Sequence, residues 1–106
     1  MKQNSEEQFR GVKYGFESCV WSYQGPGSWF FVSLPAELAL EMREKFKCEE
    51  EGWGRLKANA KVGNTIWKTA IWFDTKKNTY ILPLKAEIRN KEQIAEGDKV
   101  NCYIWL

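Results

Sequence analysis

Leu34-Pro35-Ala36-Glu37-Leu38 returns fifty residues later as Leu84-Lys85-Ala86-Glu87-Ile88, with three of five residues identical. Both pentapeptides stand where an aromatic and aliphatic run (29–34 and 79–84) gives way to a polar segment. In the first copy Pro35 suits the first turn of a helix, because the N–H it lacks would be unpaired there anyway. Leu38, Met42 and Phe46 then recur at every fourth position and make one apolar stripe. Glu37 and Glu41 precede Arg43, Lys45 and Lys47, the order that the helix dipole favours. The second copy predicts a shorter helix over 85–93 with Ile88 inward.

The agreement extends outward from the two junctions. Residues 14–24 fall on 64–74, with Val20-Trp21 near Ile71-Trp72, and both segments are rich in strand-forming residues. Gly25-Pro26-Gly27-Ser28 turns the chain from 14–24 into 29–34, and the polar residues 74–78 turn it from 65–73 into 79–84. One more strand follows each helix. In 55–62, Leu56, Ala58, Ala60 and Val62 alternate with Arg55, Lys57, Asn59 and Lys61, the period of a half-buried strand. Gly63-Asn64 supplies the positive φ of a tight hairpin into 65–73. In 99–106, Val100, Cys102, Ile104 and Leu106 share one face.

The order is therefore strand, strand, helix, strand, twice over. About fifty residues rarely hold a good core alone, whereas two such halves closed into one barrel share a core and lose their exposed edges. The sequence predicts a mainly β protein: a closed β-barrel from a duplicated ββαβ unit, with two short helices. Residues 1–13 read as a flexible N-terminal segment and 14–106 as a single β-barrel domain.

Composition excludes several function classes. Hydrophobic residues at 43% against 28% charged rule out a disordered chain. Sixteen basic and fourteen acidic residues leave a net charge of +2, too little to point to nucleic acid by itself. There is no histidine, so Ser–His and Cys–His catalytic pairs are impossible and the commonest metal ligand is missing. Cys19, Cys48 and Cys102 are odd in number and form no Cys-x-x-Cys pair. Cys19 and Cys102 fall in strand runs and read as small buried hydrophobes, while Cys48 precedes three glutamates that oppose thiolate formation. Folding should need neither metal nor disulfide. No phosphate-binding glycine loop occurs, and the glutamates at 37, 41, 44 and 49–51 read as solvated surface. No catalytic residue, metal or cofactor is assigned. An apolar run long enough for a secretion signal or a membrane span is absent, so the expected compartment is the cytoplasm, with no membrane partner.

What remains is aromatic and cationic. Trp21, Trp29, Trp67, Trp72 and Trp105 all fall in predicted strands. Trp67 and Trp72 are an odd number of positions apart and must occupy opposite sheet faces. Lys68 interrupts an otherwise apolar strand and has to reach solvent or a partner. Lys85 and Arg89 lie one helical turn apart on one face. Trp67, Lys68, Lys85 and Arg89 are the candidate ligand-binding residues. They suit an anionic ligand or a nucleic acid, with indoles stacking bases and cations holding phosphate. The competing structural reading has indoles covering the barrel ends and Lys68 and Arg89 pairing with Glu87 or Glu92. A monomer or weak homodimer is expected.

Several motifs in order carry a family resemblance: Trp29-Phe30-Phe31-Val32-Ser33-Leu34-Pro35, Gly52-Trp53-Gly54, Gly63-Asn64-Thr65-Ile66-Trp67-Lys68-Thr69, residues 79–89, and Glu96-Gly97-Asp98-Lys99-Val100. From about residue 14 to the C-terminus the chain resembles the domain-of-unknown-function family DUF1905. The resemblance implies the small double-split β-barrel, a fold shared with AbrB- and MazE-type DNA-binding dimers. In larger relatives the module precedes a bacteriocin-protection (YdeI/OmpD-associated) domain. The family resemblance brings no activity with it. AbrB-type binders reach the fold as dimers of short chains, whereas this chain holds both halves. The first reading is thus a non-catalytic cytoplasmic binding or interaction module of unknown ligand. A nucleic-acid-binding protein comes second, and a carboxylate-dependent enzyme third.

Overall fold

The structure, a computed structural model, describes residues 11–23 and 29–106. Its strands are β1 (Lys13–Ser22), β2 (Phe30–Ser33), β3 (Arg55–Val62), β4 (Thr65–Asp74), β5 (Thr79–Pro83) and β6 (Lys99–Trp105). Helix α1 (Ala36–Phe46) lies between β2 and β3, and the shorter α2 (Ala86–Glu92) between β5 and β6. The strands close in the order β1-β2-β5-β4-β3-β6, with β6 returning to β1 and every pairing antiparallel. The protein is mainly β, a closed barrel built from two ββαβ units.

The fifty-residue repeat is visible as a two-fold seam. Strands β2 and β5 pair with Val32 opposite Leu82, so equivalent residues of the two halves face each other, and both side chains are fully buried. Hydrogen bonds at the seam come in matched pairs: Leu34 N–H to Tyr80 O at 2.9 Å, and Leu84 N–H to Phe30 O at 2.8 Å. The helices open alike, with Ala39 N–H to Pro35 O at 2.9 Å and Arg89 N–H to Lys85 O at 3.0 Å. A second seam joins β3 and β6 through Ala60 and Ile104, both fully buried. Alternation fills the interior: Leu56, Ala58, Ala60 and Val62 from β3 meet Tyr80 and Leu82 from β5 and Cys102 and Ile104 from β6 in one apolar cluster.

Local differences from the sequence reading have identifiable causes. Pro35 is extended (φ −57°, ψ 141°) and stands just before α1 rather than inside it. The helix expected over 85–93 closes at Glu92 because Gln93 turns left-handed at φ 54°. Cys19 is exposed, not buried, because β1 turns its neighbour Val20 inward and Cys19 therefore outward. Cys102 is fully buried, and that burial pushes its thiol up to about 12. Trp105 is buried although its strand position faces outward. Residues 11–13 join the barrel: Val12 and Leu106 exchange two backbone hydrogen bonds of 3.0 and 3.1 Å, and β1 opens at Lys13. The turn Gly25-Pro26-Gly27-Ser28 and residues 1–10 of the predicted N-terminal segment lie outside the described residues.

Glu92, at the end of α2, is committed to the β3–β4 hairpin. Its Oε2 accepts from Thr65 Oγ1 at 2.6 Å and from Asn64 N–H at 3.3 Å. It pairs with neither Lys68 nor Arg89.

Candidate functional site

Pairing between β4 and β5 ends at Trp72 opposite Ile81. Beyond that pair Pro83 has no N–H to donate, so the ladder cannot continue and the two strands part. A trough of about 570 Å³ opens where they separate, on the outside of the barrel. Its walls come from outward positions of β3, β4 and β5 together with the residues flanking β2 and β5. Lys68 faces Asn59 across β3, Ala70 faces Lys57, and Trp72 faces Arg55. Trp29, Arg55, Lys57, Lys68, Trp72 and Lys85 all line it. Ala70 is 2% exposed and lies at the floor; a small side chain between Lys68 and Trp72 is what gives the trough depth.

The trough has indole walls and a cationic rim. Trp29 is 57% exposed, with its ring stacked on Phe31 at 6.4 Å. Phe31 in turn stacks on Trp21 at 4.9 Å, and Trp21 Nε1 donates to Ser33 Oγ at 2.9 Å. This ladder of rings braces Trp29 and leaves much of its indole in solvent. Trp72 lies 5.7 Å from the Arg55 guanidinium, inside the range of a cation–π contact. Glu51 partly neutralises one side, pairing with Arg55 and, at 3.8 Å, with Lys57 Nζ. Lys68 and Lys85 are exposed and have no ion-pair partner among the described residues.

A second depression of about 380 Å³ adjoins the first and shares Trp29, Pro83 and Lys85 with it. Arg89 lines its far side. The guanidinium lies 4.0 Å above the Phe30 ring, and Nε donates to Leu84 O at 3.1 Å. That hydrogen bond fixes the charge at the start of α2.

Of the four residues singled out from sequence, the fold brings three together: Lys68 with Lys85 in the trough, and Lys85 with Arg89 beside it. Trp67 is set apart. It pairs with inward-facing Ala60, packs against the apolar core and holds its indole nitrogen in the interior without a partner among the described residues. The indoles that accompany the lysines are Trp72 and Trp29. Trp72 could have been found from parity, since it stands four residues after Lys68 on the same strand face. Arg55 and Lys57 follow from the same hairpin, whose Gly63-Asn64 turn sets them opposite Trp72 and Ala70. Trp29 could not be found, because its approach depends on barrel closure.

The two halves build this cleft with different chemistry. Register makes Trp21–Phe31 in the first half equivalent to Trp72–Ile81 in the second. Four residues before each tryptophan stand Glu17 and Lys68, and fifty residues before Lys85 stands Pro35. A fold that required cations here would require them in both halves.

Fold and surface together define a small pseudo-symmetric β-barrel domain with a cationic, indole-walled cleft. Residues 16–104 match the model of a domain of unknown function (DUF1905), and the chain belongs to that family. The matched span contains every residue named in the trough. No curated protein matches the chain. Among the described residues no helix is long and apolar enough to cross a membrane.

Proposed function

We propose that this domain is a binding module, not a catalyst, and that its ligand is an anion taken up in the trough between β4 and β5. One observation carries the reading: Lys68 and Lys85, unpaired among the described residues, stand on the rim of a trough whose ionisable lining is all cationic. Among the described residues Glu51 pairs only with Arg55 and Lys57, so Lys68 and Lys85 are left to charge recognition rather than proton transfer. The unequal halves support the same reading, because Glu17 and Pro35 serve the fold equally well at the matching places. Three free cysteines, two of them exposed, suit a reducing cytoplasmic setting.

The test is calorimetric titration with inorganic tripolyphosphate at low ionic strength, using wild type and the Lys68→Ala/Lys85→Ala double variant. Each charge-assisted hydrogen bond is worth roughly 1.5–3 kcal/mol. The double variant is therefore expected to bind at least about tenfold more weakly. Both side chains are exposed, so thermal stability should stay within about 0.5 kcal/mol of wild type. Equal affinity in the two proteins would overturn the assignment.

A further inference from the structure

We propose that the anion is a single-stranded oligonucleotide, with a base stacked on Trp29 and neighbouring phosphates held by Lys68 and Lys85. This rests on the anion-binding reading above and adds the chemical class of the ligand. A compact inorganic anion needs only cations, yet this trough sets an indole that is 57% exposed among them. Trp29 is also backed by Phe31, which itself stacks on Trp21, so its other face is the one open to a ligand. A braced, solvent-facing ring beside lysines is what base stacking with phosphate neutralisation requires.

Shape favours an extended ligand. Lys68 and Trp72 are four residues apart on one strand, roughly 13 Å by strand rise. The adjoining depression carries the surface past Lys85 to Arg89. Lys68 stands at one end of the stretch along the strand and Arg55, beside Trp72, at the other, so cations and rings are spread over a length that suits several phosphates and bases. Asn59 is also in the lining; its Oδ1 is buried without a partner among the described residues, so its amide N–H is the group that can meet a base edge.

A duplex fits worse. Its bases are stacked on one another and offer no free face to an indole. The longest helix, α1, exposes Glu37, Glu41 and Glu44, so it would bring like charge to a phosphate backbone. The seven-residue α2 is too short to read a groove.

The experiment is tryptophan-fluorescence titration of the whole protein with octauridylate, octathymidylate, an eight-base-pair DNA duplex and tripolyphosphate, each at two salt concentrations. The single strands should bind at least about tenfold more tightly than duplex or tripolyphosphate. Their log affinity should fall with log salt at a slope of magnitude roughly 1.4–2.1, about 0.7 for each phosphate held by Lys68, Lys85 and Arg89. Trp29→Ala should weaken the single strands by roughly 5- to 100-fold and leave tripolyphosphate unchanged, while Trp29→Phe recovers much of the loss. If Trp29→Ala leaves strand binding intact while Lys68→Ala/Lys85→Ala abolishes it, the oligonucleotide assignment fails and the anion trough stands. Duplex binding as tight as single-strand binding also overturns the assignment. If neither strands nor tripolyphosphate bind, both readings fall.

Discussion

Leu82→Ala is expected to destabilise the protein by about 2–5 kcal/mol, the range for truncating a fully buried leucine. Leu82 is 0% exposed and sits opposite Val32 on the two-fold seam, where the halves of the repeat meet. Surrounding side chains cannot collapse into the space, because the strands on either side are held in register by the closed barrel. For a domain of this size the melting temperature should fall by roughly 10 °C or more. Leu40→Ala provides the contrast: Leu40 faces solvent from α1 at 64% exposure, so its truncation should cost less than about 0.5 kcal/mol. Equal melting temperatures for Leu82→Ala and wild type would show that the seam is not the core.

Glu50→Ala should rank next, at roughly 2–4 kcal/mol. Glu50 belongs to the crossing between α1 and β3 and is tied to the barrel from two sides. Its Oε2 accepts a hydrogen bond from the Tyr80 hydroxyl and lies 3.4 Å from Arg43 Nε. Arg43 also covers the Phe73 ring at 3.7 Å, and Phe73 meets Tyr80 edge-on at 5.2 Å. Removing the carboxylate strands a buried phenol and takes the counter-charge from a cation that is only 31% exposed. Glu50→Gln keeps an acceptor and should cost less. Alkaline pH provides a second readout. Burial, followed by the Glu50 hydrogen bond and charge, holds the Tyr80 phenol protonated well above its ordinary 10.0. Above pH 10 the unfolded phenol ionises while the folded one does not, so stability falls by up to about 1.4 kcal/mol per pH unit from this group. Tyr80→Phe should flatten that decline. Chemical denaturation at pH 8, 10 and 11 measures it, and identical slopes in Tyr80→Phe and wild type would contradict the role given to this phenol.

Much of the architecture was legible because it depends on period and repetition. The offset between Leu34–Leu38 and Leu84–Ile88 returns as the Val32–Leu82 pairing, and the alternation of 55–62 runs unbroken through β3. Parity also placed Trp67 and Trp72 on opposite faces. What parity cannot say is which face is outside. The sequence reading joined Lys68 to Trp67, and the fold joins it to Trp72 and Trp29. The glutamates at 49–51 looked uniformly solvated, yet Glu50 turns inward to a tyrosine thirty residues away and Glu51 turns to Arg55 and Lys57. Glu92 likewise left Arg89 for the β3–β4 turn. The partners of Glu50 and Glu92, 30 and 27 residues away, carry no local signal, since that choice of partner is made only when the barrel closes.

The trough is tested most directly by its own tryptophans. The chain has six, so a ¹⁵N-labelled sample reports six indole N–H groups distributed over trough, interior and far surface. Titration with tripolyphosphate and then with octauridylate should shift the backbone amides of Lys68, Ala70 and Lys85 with both ligands. The indoles of Trp29 and Trp72 should move most with the oligonucleotide, while those of Trp67 and Trp105 stay in place. Shifts confined to Trp53 and the α1–β3 crossing, or no shifts at millimolar ligand, would contradict an anion-binding trough between β4 and β5.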